Sequence, residues 1–170
     1  ATADIDIAVA ADALDVAAKA AMALGGHYVL LDEQNRVGRV VLADWVVDFS
    51  TFEGSIEHDL ARRDFTVNAM AINLHQLVEG TSVVRQAHHE RKEAHHERPK
   101  RIAQLIDPFN GWDDLRRGVI RAVTEGVFTA DPARLLRAVR HAAELGFNIE
   151  KSTEALIQQL FGLQGCGFAA

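Results

Sequence analysis

Asp4-Ile5-Asp6-Ile7-Ala8-Val9, near the start of the chain, alternates polar and apolar residues over its first four positions. Alternation with a period of two predicts a β-strand with one buried face. Both carboxylates would then leave the strand on the same face, while the two isoleucines anchor it in the core. The alanine-rich run at 10–24 predicts a helix after this strand, and Gly25-Gly26 would form its C-terminal cap.

Three further segments of the first half have the composition of strands. We expect these strands at 27–31, 39–43 and 45–49, with a turn at 32–35 between the first two. Strands that are separated by one helix and by short turns indicate a mixed α/β sheet.

The second half of the chain is predicted to be mainly helical. Residues 55–74 predict two short helical pieces with a break near Arg63-Asp64. Residues 131–145 carry apolar side chains at helical spacing, and Gly146 would end that helix. A second helix is expected at 152–160, with a serine as its N-cap.

Composition and length restrict the class of protein. The chain has 170 residues, of which 48% are hydrophobic and 25% charged, close to the averages of globular proteins. A single cysteine, Cys166, excludes a disulfide framework and a cysteine-based zinc site, and it is compatible with a cytoplasmic protein. No segment approaches the roughly 18 apolar residues of a membrane span. Membrane-bound and secreted classes are therefore disfavoured.

Charge is distributed unevenly around a net value of −6. Residues 1–60 contain 3 basic and 11 acidic residues, whereas residues 61–140 contain 14 basic and 10 acidic residues. An acidic first third and an arginine-bearing middle would suit a protein that binds cations in one place and phosphates in another. Ordinary scatter of surface charge is the alternative.

Three aspartates are candidates for a metal site. Asp4 and Asp6 share one strand face, where two carboxylates repel each other unless a cation lies between them. A hard cation such as Mg²⁺ prefers carboxylate and phosphate oxygens. Asp48 is embedded in an apolar strand and needs a partner there. Three acids on adjacent strands would form a two-metal site for phosphoryl or nucleotidyl transfer, although a solvated strand face is the alternative.

An arginine-rich segment at 62–71 suits the recognition of a nucleotide. The guanidinium groups of Arg62 and Arg63 can bind phosphate oxygens through paired hydrogen bonds. Asp64 and Asn68 supply an acceptor and a donor for the hydroxyl groups of a ribose.

Five segments, in the same order along the chain, resemble the motifs of the class II nucleotidyltransferases. This family comprises tRNA CCA-adding enzymes and bacterial poly(A) polymerases, which have a DNA-polymerase-β-like head. Residues 4–9 look like the catalytic D-x-D strand, 47–50 like the strand with the third acid, 62–71 like motif B, 107–115 with 118–121 like the connection of head and neck, and 131–140 like the base-reading neck helix.

The resemblance implies an α+β fold with two domains. An incomplete nucleotidyltransferase head would occupy residues 1–118, and residues 119–170 would begin an all-helical neck or RNA-binding domain. A low-complexity insertion at 79–101 would interrupt the head, and its two near-repeats hold four of the histidines. The family's glycine-rich turn, which lies upstream of the D-x-D strand, is absent. We therefore expect a chain truncated at both ends. Two alternatives follow: the truncated chain is active, or it is inactive.

The same resemblance implies a role for each motif residue. Asp4 and Asp6 would hold Mg²⁺, and Asp48 would assist activation of the RNA 3′-hydroxyl. Asp131 and Arg134 lie three residues apart on one helix face, where they would pair with the base of ATP or CTP. A carboxylate accepts from an exocyclic amine while a guanidinium donates to a ring acceptor. The full nucleotide-binding set would be Arg62, Arg63, Asp64, Asn68, Asp131, Arg134 and Arg137.

Two positions leave alternatives open. Asp131 precedes a proline and suits the N-cap of a helix as well as base recognition. Ala130 stands where many CCA-adding members carry a glutamate, which leaves the nucleotide specificity open.

The activity implied by the resemblance is template-independent addition of CCA, or its terminal A, to the 3′ end of tRNA. ATP and CTP would be the donors, Mg²⁺ the metal, and RNA the partner. The alternatives are a poly(A) polymerase that uses ATP alone and a non-catalytic remnant that binds nucleotide or RNA. No membrane association is expected.

Overall fold

The computed structural model describes residues 3–76 and 105–161, so the predicted insertion at 79–101 and Cys166 lie outside the described residues. The chain divides after Asp59 into two compact units, each with a hydrophobic core of its own. Across the described ranges, no helix has the length and apolar character needed to cross a membrane.

The first unit is a four-stranded sheet with one long helix. The strands lie in the order β1-β4-β3-β2, with β1 parallel to β4 and the other neighbours antiparallel. This mixed sheet confirms the predicted fold class. The elements are β1 (Ala3–Val9), α1 (Ala13–Leu24), β2 (His27–Asp32), β3 (Val37–Val41), β4 (Trp45–Thr51) and α2 (Ile56–Ala61), which crosses the division.

Helix α1 covers one face of this sheet because its small side chains recur every four residues. Ala13, Ala17 and Ala21 are buried against the apolar residues of β3 and β4. Asp12 caps the start of α1, where its carboxylate accepts a 3.0 Å hydrogen bond from the amide of Leu14. The opposite face of β1 and β4 carries three aspartates and Ser50, together with Ala8 and Val46.

Within its described residues, the second unit combines four helices and short strands with a 3₁₀ turn. Its core contains Phe65, Ile120, Phe128 and Ile157. The elements are the 3₁₀ turn Thr66–Asn68, β5 (Ala71–Ile72), β6 (Leu105–Ile106), α3 (Gly111–Arg117), β7 (Val119–Ile120), α4 (Val127–Ala130, a single turn), α5 (Ala133–Leu145), β8 (Asn148–Ile149) and α6 (Lys151–Phe161).

Several predicted boundaries are wrong. The helix expected at 10–24 begins at Ala13, after Asp12 as its N-cap. The serine expected as N-cap of the last helix, Ser152, lies inside that helix, and Glu150 accepts from the first amides instead. The strand expected at 39–43 begins and ends two residues earlier, because Arg36 adopts a left-handed turn conformation (φ 53°) and Val37 already pairs with Ser50. The helix expected from 131 begins at Ala133, because the backbone of Asp131 is extended. The predicted break near residues 63–64 is confirmed. The domain boundary at 118/119 stays a prediction.

The segment that begins at Asp107 packs α3 against the 3₁₀ turn. The carboxylate of Asp107 accepts hydrogen bonds from the amides of Gly111 (2.7 Å) and Trp112 (3.1 Å), which fixes the start of α3. Gly111 lies so close to the turn that an added Cβ would be 2.0 Å from the carbonyl oxygen of Thr66. From the same helix, buried Asp114 accepts a 2.8 Å hydrogen bond from the Thr66 hydroxyl. The segment therefore holds the turn that carries Asn68.

Candidate functional site

The three candidate metal-binding aspartates lie on one face of the first unit's sheet. In the parallel pair of β1 and β4, Asp6 is directly opposite Asp48. Residues opposite each other on neighbouring strands point to the same side, and Asp4 shares that side because it precedes Asp6 by two. Asp4 and Asp6 are exposed, and Asp48 is half-buried. We call these three residues the acid face.

Arg39 joins the acid face from β3, where it is the register partner of Asp48. Its Nε and Nη2 donate to the two carboxylate oxygens of Asp48 at 2.6 and 2.7 Å. These hydrogen bonds and the charge of Asp48 raise the pKa of Arg39, and the charges of Asp4 and Asp6 add to the shift. Arg39 is not among the site residues predicted from sequence. Its side chain alternates with two buried residues of β3, which places it on the same face of the sheet as Asp48.

The donor chemistry of the acid face fits a divalent cation. Asp4 and Asp6 offer exposed carboxylate oxygens on one side of a strand, which are the ligands that Mg²⁺ prefers. Among residues 3–76 and 105–161, no three Asp, Glu, His or Cys side chains are arranged so that they could hold a metal ion. Asp48, the third carboxylate, has both oxygens bonded to Arg39 instead.

In the second unit, helix α5 reaches the arginine-rich segment through two side chains one turn apart. Arg134 Nη2 donates to the carbonyl oxygen of Arg62 at 3.1 Å, and its Nη1 donates to the carbonyl of Val127 at 3.4 Å. Arg137 Nη2 donates to the carboxylate of Asp64. The structure thus brings α5 and the 62–64 segment together. We call Arg62, Arg134 and Arg137 the arginine cluster.

Asp64 is an interior residue of this arrangement, with a side chain that is only 2% exposed. Its Oδ1 accepts hydrogen bonds from the amide of Phe65 (2.8 Å) and from Asn68 Nδ2 (3.3 Å). Burial alone would raise the pKa of Asp64, but Asn68, the charge of Arg137 and the Phe65 amide together lower it below the ordinary value. The carboxylate predicted to contact a sugar is bonded to protein groups on both oxygens. The side chains of Arg62 and Asn68 are exposed, and Arg63 is half-buried.

The structure shows one of the two roles that the sequence left open for Asp131. One carboxylate oxygen accepts a 3.0 Å hydrogen bond from the amide of Ala133 and so caps α5. The other oxygen is 3.7 Å from Nε of Arg134. That Nε is buried and has no hydrogen-bond partner within the described part of the chain. The capping role is therefore observed, and base recognition stays a prediction.

We expect replacement of Asp64 with Asn to lower the free energy of unfolding by about 2 kcal/mol at pH 7, because Arg137 loses a buried charged acceptor. Since the folded-state pKa of Asp64 is depressed, its contribution is complete above the unfolded-state pKa, about 3.9, and is lost as the pH falls through the folded-state value. Urea unfolding at pH 7, 4 and 3 should show the difference from wild type shrinking in acid.

Asp113→Asn is the matched control for Asp64→Asn. Asp113 forms an exposed pair with Arg117 at 3.9 Å, so its replacement should have no measurable effect at any of these pH values. A difference for Asp64→Asn that is constant from pH 7 to pH 3 would contradict the role given to the Asp64 charge.

The chain matches one protein-family model over residues 1–121, and that model is described as the Poly A polymerase head domain. The match covers the acid face and the 62–71 segment.

Curated relatives are similar over most of this chain. A CC-adding tRNA nucleotidyltransferase of Synechocystis sp. is 37% identical over 158 residues, which are 92% of this chain and 32% of the relative. An A-adding tRNA nucleotidyltransferase of Deinococcus radiodurans is 35% identical over 137 residues, or 81% of this chain and 25% of that protein. This chain thus spans about a third or less of these relatives.

Solved structures of CCA-adding enzymes are also similar to this chain. The CCA-adding enzyme of Thermotoga maritima in complex with tRNA matches with a TM-score of 0.69 and 36% identity, over 94% of this chain and 33% of that one. A CCA-adding enzyme in complex with CTP matches with a TM-score of 0.71 and 36% identity, over 95% of this chain and 34% of that one.

Proposed function

The chain belongs to the poly(A) polymerase head-domain family, and from this premise we propose that it carries the transfer site of a tRNA nucleotidyltransferase. In this proposal the whole protein adds C, A or both to the 3′ end of tRNA without a nucleic-acid template, with CTP and ATP as donors. The observation that supports it most strongly is the register of β1 and β4, which places Asp4, Asp6 and Asp48 on one face. The relatives named for CC and A addition favour tRNA as the acceptor.

In the proposed reaction, the 3′-hydroxyl of the RNA loses its proton to solvent water and its oxygen attacks the α-phosphorus of the nucleotide. The bond from that phosphorus to the β-phosphate oxygen breaks, and pyrophosphate leaves. Asp4 and Asp6 would hold Mg²⁺, which when bound activates the hydroxyl group and neutralises charge on the phosphates. Asp48 would assist activation of the 3′-hydroxyl beside Asp6, its register partner.

The arginine cluster would bind the nucleotide. Arg62 and Arg137 are both exposed residues, and a guanidinium group suits phosphate oxygens. Asp64 would act from the interior by orienting Arg137, because its carboxylate is buried and bonded to it. Residues 119–170 would form the beginning of a helical neck, as part of the same proposal. A cytoplasmic location is the one we propose for this activity.

Two replacements at Asp131 separate base recognition from helix capping. Asp131→Asn keeps an oxygen that can accept from the Ala133 amide, so stability should change little, whereas Asp131→Ala should lower it by about 1 kcal/mol. If the carboxylate also accepts from the amine of the base, both variants should lower kcat/KM for the nucleotide by about 10- to 100-fold. Unchanged kcat/KM in Asp131→Asn would remove the base-reading role and leave the cap.

The activity is tested on the full-length parent protein with two tRNAs, one that lacks its 3′-terminal CCA and one that ends in CC. Labelled CTP and labelled ATP are supplied separately and together. Incorporation of C, of C followed by A, or of a single A on a tRNA that ends in CC would support the proposal and identify its form. A long tail from ATP alone would instead identify a poly(A) polymerase, which the family model also favours. Magnesium-dependent ATP binding without incorporation would identify a non-catalytic remnant.

A further inference from the structure

The bidentate contact between Arg39 and Asp48 places a positively charged side chain on the acid face. Arg39 Nε and Nη2 occupy both oxygens of Asp48 at 2.6 and 2.7 Å. Paired, charge-assisted contacts of this length are among the stronger hydrogen bonds of proteins. Both oxygens of the third carboxylate are therefore already engaged by a positively charged group of the protein.

The net charge of the acid face and the number of carboxylates available as ligands both indicate that Arg39 competes with a divalent cation for Asp48. With Arg39 in place, the four side chains on this face carry a net charge of −2 rather than −3. The three carboxylates do not form a metal-binding group in the part of the chain that the structure describes, even though Asp6 and Asp48 are register partners. Coordination by the third acid thus requires Asp48 to exchange Arg39 for the cation.

We propose that Arg39 is a positioning residue that competes with the divalent cation for Asp48 and thereby lowers the cation affinity of the acid face. This inference rests on the proposed function, because it takes the acid face as the cation site. It also assigns Arg39 a defined effect: without its charge, the acid face binds the cation more tightly.

The test is a titration of the 170-residue chain with Mn²⁺, followed by the electron paramagnetic resonance signal of the free ion, without nucleotide. Arg39→Gln removes the charge, and a divalent ion a few ångströms from one unit charge should then bind about tenfold more tightly. Arg39→Lys keeps the charge and should stay within about threefold of wild type. Lys19→Gln makes the same change in net charge on the exposed side of α1 and should leave the affinity unchanged.

Asp48→Asn provides the second comparison. Much of the increase in Mn²⁺ affinity should come from the Asp48 carboxylate that loss of Arg39 releases. In the Asp48→Asn background, Arg39→Gln should therefore tighten Mn²⁺ binding by only about threefold. A purely structural role for Arg39 predicts the opposite sign, since Arg39→Gln would then disturb β3 and weaken binding. Equal or weaker Mn²⁺ binding by Arg39→Gln, or no binding by either protein up to millimolar concentrations, would overturn the proposal.

The same titration separates this inference from the proposed function. If Asp4→Asn with Asp6→Asn leaves Mn²⁺ binding unchanged, the acid face is not the cation site and the proposed function loses its metal. If Arg39→Gln tightens binding but the parent protein adds no nucleotide, competition by Arg39 stands and the transferase activity fails.

Discussion

Replacement of both Asp4 and Asp6 with Asn should reduce nucleotide addition by the full-length parent at least about 1000-fold, or about 4 kcal/mol of transition-state stabilisation. The two carboxylates share a strand face and are the exposed oxygen ligands of the proposed cation. Asn keeps their size but removes both charges. Since neither side chain is buried, the free energy of unfolding should change little. Single-turnover incorporation into a tRNA without its CCA end measures the effect.

The control for this double variant removes the same charge elsewhere in the first unit. Asp15→Asn with Glu33→Gln changes two exposed acidic residues, one on α1 and one in the turn after β2. This pair should retain the wild-type rate within about twofold. Incorporation by the Asp4/Asp6 variant at a similar rate would show that these acids do not carry the reaction.

Replacement of Gly111 with Ala should have the largest effect on stability. The added methyl group would lie 2.0 Å from the carbonyl oxygen of Thr66 and 2.7 Å from its carbonyl carbon, and neither is a flexible side-chain atom. Helix α3 and the 3₁₀ turn must therefore move apart, which also strains the hydrogen bond of Thr66 to Asp114. We expect a loss of about 3 kcal/mol or more in the free energy of unfolding, measured by urea unfolding of the chain.

Gly126→Ala is the matched control for Gly111→Ala. No atom lies within 4 Å of the position of its added Cβ, and its φ of −81° suits alanine. This variant should be neutral or stabilised by up to about 1 kcal/mol. Similar unfolding midpoints for the two variants would contradict the close contact of Gly111 with the turn.

The acid face could be predicted from sequence because it depends on simple periodicity. Alternation in residues 4–7 places both aspartates on one side of β1, and the apolar neighbours of Asp48 orient it in the same way on β4. The partner of Asp48 could not be predicted. Its identity depends on the register of β3, which is set by the turn at Arg36, and the predicted strand was two residues out of place.

Burial of Asp64 also escaped prediction from sequence. An Asp beside two arginines is typical of a solvent-facing site, and helical periodicity alone does not show that Arg137 reaches it from 73 residues away. Because α5 contacts the 62–64 segment, the Asp64 carboxylate forms an internal ion pair with Arg137 instead of the expected contact with a ligand. The structural role of residues 107–115 also depends on a tertiary contact. Gly111 and Asp114 both pack against Thr66, which is distant in the sequence.

The central claim is that the acid face of β1 and β4 holds the divalent cation of nucleotide transfer. The most direct test is a crystal of the chain soaked with Mn²⁺ and CTP, in which anomalous scattering locates the metal. We predict a Mn²⁺ peak roughly 2 to 2.5 Å from carboxylate oxygens of Asp4 and Asp6, next to the phosphates of the nucleotide. Nucleotide and Mn²⁺ bound together elsewhere, with these two carboxylates free of metal, would contradict the claim.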